Sequence, residues 1–284
     1  MSYRDIHRTF SQSDIESFQP EMKVGLLATV NEEGLPHLTL ISTLRATTPT
    51  ELVFGQFAEG LSKVNVQKNP KTGFLILTLD RNTWRGKAKF THTQRSGKEF
   101  NLLNNLPMFR YNAYFGIHTV YYLDLIEHYG RELLPMKHIV QAALKTLLAR
   151  RLALRKSKKE VLNLWTRQLI NKMANLKFLA FIENDGYPII IPIIQAQTCG
   201  SEHIIFSTSA FSKDIRAIPQ GAPVAFFCMS FDMEDVLLRG IYQGIKRVGG
   251  VQCGSITVDW VYSPMPPKPE QIYPQTKLEP VTTF

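Results

Sequence analysis

A chain of 284 residues with 44% hydrophobic and 20% charged side chains can bury a core and suits two ordinary domains rather than a disordered polymer. No apolar run approaches the ~18 residues of a membrane span, and three widely spaced cysteines (Cys199, Cys228, Cys253) form neither a disulfide framework nor a CxxC site. The net charge of +9 makes the placement of lysine and arginine informative about an anionic partner.

Met1–Gln19 alternates polar and charged residues, unlike a secretory signal, so a cytoplasmic protein with reduced thiols is expected. Gly25–Val30 is an apolar run leading into Asn-Glu-Glu-Gly-Leu-Pro, a hairpin signal with His37–Leu44 as the returning strand. Leu52, Val53 and Phe54 read as the end of a buried strand, and Gly55 to Gly60 as a turn. Ser62 then caps a short helix that must stop before Pro70. A positive helix end, glycine for close approach, one hydroxyl and one ammonium (Lys63) are the parts of a phosphate site. A plain strand–turn–helix with a surface lysine accounts for the same residues. Further on, Gly73–Leu79 and Trp84–Thr91 predict strands, Ser96–Met108 a helix and Phe115–Ile126 a long strand. Many short strands point to a barrel rather than a doubly wound sheet.

Lys137–Leu176 changes character. Ile139, Ala143, Leu147, Leu148, Leu152, Leu162, Leu169 and Met173 recur at helical spacing, predicting one or two helices broken near Ser157. Arg150, Arg151, Arg155, Lys156, Lys158 and Lys159 concentrate positive charge there. A packed linker with a solvated basic face explains this, and so does a surface for an anionic polymer. The scarcity of interleaved aromatics favours the linker, with no nucleic-acid and no membrane partner expected.

The first order of features then recurs. Gly34 and Pro36 reappear as Gly186 and Pro188, Val53-Phe54 as Ile205-Phe206, and Leu75–Asp80 as Phe227–Asp232. Ser62-Lys63 matches Ser212-Lys213, Arg85-Gly86 matches Arg239-Gly240, and Thr119-Val120 matches Thr257-Val258 with small slips. The same landmarks in the same order predict a duplicated domain.

Gly34-Leu35-Pro36, Phe54, Ser62-Lys63, Asn69-Pro70 and Gly86 together resemble the FMN-binding split-barrel family, of which pyridoxamine 5'-phosphate oxidase is the familiar member. The resemblance implies a mainly β chain of two six-stranded Greek-key split barrels forming an intrachain pseudo-dimer. The domains would be 1–136, a basic helical linker 137–176, and 177–284 with a proline-rich tail. It implies FMN as cofactor, with the phosphate at Ser62 and Lys63. The ring would lie along Thr39, Leu40, Ile41, Gly55, Gln56 and Phe57, with Trp84 as ring neighbour or as ordinary core. An FMN-dependent oxidoreductase acting on a small molecule is the function expected, alone or as a further homo-oligomer. A non-catalytic flavin or haem module and a structural relic binding an anionic polymer are the alternatives. No residue stands out as a general acid or base, and scattered histidines lack metal-ligand spacing.

Overall fold

The computed structural model of the chain describes residues 4–56, 60–107, 116–153, 159–265 and 269–276. The chain is mainly β, in two antiparallel sheets of eight strands each. The first holds β1 (Lys23–Val30), β2 (Pro36–Leu40), β3 (Arg45–Thr48), β4 (Glu51–Gln56), β5 (Lys71–Thr78), β6 (Asn82–Gln94), β7 (Thr119–His128) and the short β8 (Glu132–Leu133). Its order is β2-β1-β5-β6-β7-β4-β3, with β8 paired to β6. The second holds β9 (Leu176–Ile182), β10 (Pro188–Pro192), β11 (Gln197–Cys199), β12 (His203–Ser207), β13 (Pro223–Met229), β14 (Asp235–Val248), β15 (Val251–Ser263) and β16 (Glu270–Tyr273). Its order is β10-β9-β13-β14-β15-β12-β11, with β16 on β15. The first seven strands of each sheet therefore follow one pattern, which is a duplicated domain. Each sheet carries eight strands where the resemblance implied six.

Register shows how far the repeat extends. Leu26 lies opposite Leu75 in the first sheet, and Phe178 opposite Phe227 in the second, the sequence match preserved pair for pair. Arg45 opposite Val53 likewise becomes Gln197 opposite Ile205. The later landmarks slip. Gly86 faces Phe74, whereas Gly240 faces Val224, the counterpart of Thr72. Thr257 faces His203, so its counterpart is Asp124, which faces Glu51, and not Thr119. Both hairpin turns place glycine where L side chains are strained, with φ of 74° at Gly34 and 82° at Gly186.

The chain divides into two compact units. One comprises residues 1–34, 38–134 and 182–190; the other comprises 35–37, 135–181 and 191–284. The linker thus belongs to the second unit, and the turn after β9 belongs to the first. In the first unit the core is built by Leu27, Phe54, Phe74, Ile76, Trp84 and Tyr121 with Phe10 and Phe18 from the N-terminal arm. Lys87 there is buried among three carboxylates, with its Nζ 3.2 Å from Glu127, 2.8 Å from Glu183 and 2.7 Å from Asp185. Arg4 meets Glu183 at 2.9 Å, and Arg85 donates to the Ile190 carbonyl at 3.3 Å.

The linker contains helices Met136–Leu152 and Leu164–Asn171; the break expected near Ser157 lies outside the described residues, as do Arg155, Lys156 and Lys158. The first helix packs on β11, β12 and β15 through Ile139, Ala142, Ala143, Thr146 and Ala149. The second begins with Asn163, whose side chain accepts from Thr166 N–H. Among the described residues no helix is long and apolar enough to cross a membrane.

Candidate functional site

The helix expected after β4 spans Leu61–Lys68 and is capped by Gly60 in an extended conformation, with no side-chain cap. Ser62 is therefore its second residue and not its cap. A glycine cap supplies no side-chain acceptor; Lys63 N–H donates to the Gly60 carbonyl at 3.1 Å, while Leu61 and Ser62 N–H stand at the positive end of the dipole. Asn65 fixes the helix to β1 by donating to Thr29 Oγ1 at 3.1 Å, and Val66 enters the core. That anchorage buries Ser62 completely, and its hydroxyl has no partner. Buried hydroxyls are rarely left so, because desolvation without a hydrogen bond is costly.

Lys63 follows. Burial pushes its ammonium down to about 8, and among the described residues no carboxylate lies within ion-pair range of it. Its Nζ is 3.7 Å from the point a Cβ would occupy on Gly60, so a side chain at residue 60 would stand against the ammonium. A helix start without a side-chain cap, an orphaned hydroxyl and an ammonium unpaired among the described residues are thus consecutive in the chain.

The other expected ring contacts divide. Thr39 on β2 keeps a buried, unpartnered hydroxyl, and Leu40 beside it is half-buried. Ile41 N–H already donates to the Gly25 carbonyl at 2.7 Å. Gly55 N–H donates to Thr43 Oγ1 at 3.0 Å, and Gln56 Oε1 accepts from the Tyr121 hydroxyl at 2.8 Å. Those backbone and side-chain groups are occupied within the sheet. Phe57 lies outside the described residues. Trp84 is core: fully buried, edge-on to Phe18 with centroids 5.0 Å apart, its Nε1–H donating to Asp14 Oδ1 at 2.8 Å. Its ring has no free face for a flavin.

One charged feature was not apparent from the sequence. Arg45 is 2% exposed, with Nη2 unpartnered and Nε donating to the Thr43 carbonyl at 3.3 Å. Lys23 is also buried, its Nζ donating to the Pro20 carbonyl at 2.7 Å. Burial first, then the Arg45 charge, pushes the Lys23 ammonium down to about 7. A cation at the start of β3, where alternation expects an apolar side chain, was the available signal.

The second copy differs at the matching helix, Ser212–Ala217. Ser212 is its first residue, and its hydroxyl accepts from Arg216 Nε at 3.2 Å. Arg216 also donates to Gln252 Oε1 at 2.9 Å, and Asp214 is buried in the first turn. This turn already has an internal cation and anion. Among the described residues no group of three or more His, Cys, Asp or Glu could hold a metal ion.

No family model matches the chain, and no curated protein matches it. It is similar to solved structures. An FMN-binding protein from Syntrophomonas wolfei has 14% identity and a TM-score of 0.35, covering 40% of this chain and 81% of that one. For a putative pyridoxamine 5'-phosphate oxidase from Lactobacillus delbrueckii the values are 14%, 0.35, 44% and 96%. For General Stress Protein 26 from Bacillus anthracis they are 14%, 0.32, 43% and 97%.

Proposed function

We propose that this protein binds FMN, with the phosphate at the start of the Leu61–Lys68 helix. The observation that carries the reading is the fully buried Ser62 hydroxyl without a partner, next to an ammonium that has no carboxylate partner among the described residues. A phosphate would accept from Ser62 Oγ, pair with Lys63 Nζ and accept from the Leu61 and Ser62 N–H groups of a turn without a side-chain cap. Thr39, with its own unsatisfied hydroxyl, is the remaining group suited to a polar edge of the cofactor. Bound flavin would supply hydride and single-electron chemistry, while these side chains bind and orient it.

The expected reaction class is a flavin-dependent oxidoreduction of a small molecule. Flavin carriage without turnover is the competing reading. Reconstitution with FMN followed by gel filtration tests binding: a retained flavin band that Ser62→Ala and Lys63→Ala abolish supports the proposal, and no retention by the parent chain refutes it. Anaerobic photoreduction then separates the two classes. Reoxidation of bound flavin by a small-molecule acceptor faster than that of free FMN marks an enzyme.

A further inference from the structure

The outer face of the second sheet contains a cavity of about 140 Å³. Its floor is Cys199, Ile205 and Cys253, roofed by Ala153 and Val248 at one end. The first copy shows what is missing there. Val53, Val120 and Tyr122 occupy the positions of Ile205, Cys253 and Ser255. Tyr122 stacks on His92 at 4.4 Å and 8°, and packs with Leu103 and Ile117. In the second copy the tyrosine has become Ser255. The histidine has no counterpart in the ladder, because the register shift between Tyr242 and Ile245 leaves Ser255 unpaired on that side. A stacked pair of rings has been removed while the sheet beneath it is kept.

The rim is polar. Lys246 stands where the first copy has Gln94, opposite Cys253. It is exposed and among the described residues forms no ion pair. Thr257 Oγ1 lies 3.3 Å from His203 Nδ1 at the other side. Burial pushes the Cys253 thiol up to about 11, so the floor is an uncharged, apolar surface. Ligand sites combine an apolar body with a few placed polar groups, and an apolar cavity of ~150 Å³ is large enough for benzene but far below the ~300 Å³ at which drug-sized sites begin.

We propose that this cavity binds a single flat ring bearing one anionic group, an aromatic carboxylate of benzoate size. The ring replaces the deleted aromatic pair between Ile205, Cys253 and Ser255, and the carboxylate faces Lys246. The site is independent of the flavin reading and is too small for a flavin. The affinity expected for so few atoms is roughly 0.1–1 mM.

Saturation-transfer NMR and calorimetry on the full chain, with benzoate and its neutral isostere benzyl alcohol, test the proposal. Both should bind the parent protein. Lys246→Gln should weaken benzoate roughly three- to tenfold and leave benzyl alcohol unchanged. Ser255→Tyr should abolish both by restoring the first copy's residue. Ser255→Leu provides a smaller filler should the tyrosine variant fail to fold. Absence of benzoate binding at millimolar concentration, or binding that survives a folded filler variant, overturns the proposal, as does equal weakening of both probes by Lys246→Gln.

Discussion

The two copies share strand order but cover their outer faces by different means. In the first, the β6–β7 connection carries the Lys98–Asn104 helix, and Leu103 from it packs on Val53, Val120 and Tyr122. In the second, β14 and β15 are joined directly by Gly249 and Gly250, both at positive φ, and the face receives the Met136–Leu152 helix that precedes the sheet. The difference reaches single hydrogen bonds. Gly55 N–H is satisfied from within its own copy by Thr43 Oγ1, whereas its counterpart Ser207 N–H donates to Thr146 Oγ1 of the linker at 2.8 Å. A duplicated sheet thus preserves its ladders while its faces diverge, and the face covered by an outside helix contains a cavity.

The largest expected effect tests whether the first unit stands alone. Residues 1–136 would lack Glu183 and Asp185, leaving buried Lys87 with Glu127 only. Removing partners from a buried ion cluster costs about 3–5 kcal/mol, comparable to the lower end of a domain's whole margin. The fragment should associate or unfold without cooperativity; a soluble monomer with a sharp denaturation transition would contradict this. Next comes the flavin asymmetry. Lys63→Ala should lower the flavin-to-protein absorbance ratio by roughly tenfold, and Lys213→Ala by less than about twofold, because the second turn already holds Asp214 and a paired Ser212. Equal losses would remove the distinction between the copies.

Asp235 offers a sharper comparison at one residue. Burial pushes its carboxyl up to about 6, and Oδ1 has no partner. Its first-copy counterpart is Thr83, whose hydroxyl donates to the Glu132 carbonyl at 3.0 Å. A carboxyl raised in the folded state stabilises fully below its unfolded value of 3.8 and loses that contribution as pH rises through about 6. Asp235→Asn should therefore raise stability by about 1–2 kcal/mol at neutral pH, with the gain vanishing below about pH 4, as read by urea denaturation across pH. The smallest effect concerns Lys63. Its ammonium, lowered to about 8, loses its charge above that pH, so flavin retention should fall severalfold between about pH 7 and about pH 9. Lys63→Arg should flatten the fall, since a guanidinium stays charged.

The repeat was legible because it rests on turn chemistry and alternation, which are local. Glycine at positive φ in the two hairpins and the apolar pairs Val53-Phe54 and Ile205-Phe206 need no tertiary information. Past β5 and β13 the match misled, because look-alike Arg-Gly and Thr residues recur at positions the ladders do not equate: Gly240 stands where the first copy has Ala88, and Thr257 where it has Asp124. At the candidate site, Ser62 and Lys63 were legible as a pair, but the cap fell to Gly60 because the helix begins earlier than a hydroxyl cap would place it. Trp84 could be read either way from sequence; only the Phe18 contact and the Asp14 hydrogen bond, made by the N-terminal arm, decide for the core. Arg45 was hidden because an arginine is ordinarily exposed, whereas here it is 2% exposed.

The membership of residues 182–190 in the first unit also imposes an order on synthesis. A chain emerging from the ribosome has made every strand of the first sheet well before Glu183 and Asp185 exist. At about 5–20 residues per second, the roughly fifty residues between β8 and that turn hold Lys87 without two of its carboxylates for several seconds. The second sheet meets no such delay, since the helix that covers it is translated first. A nascent chain paused within the linker is therefore the species most exposed to chaperones and proteases.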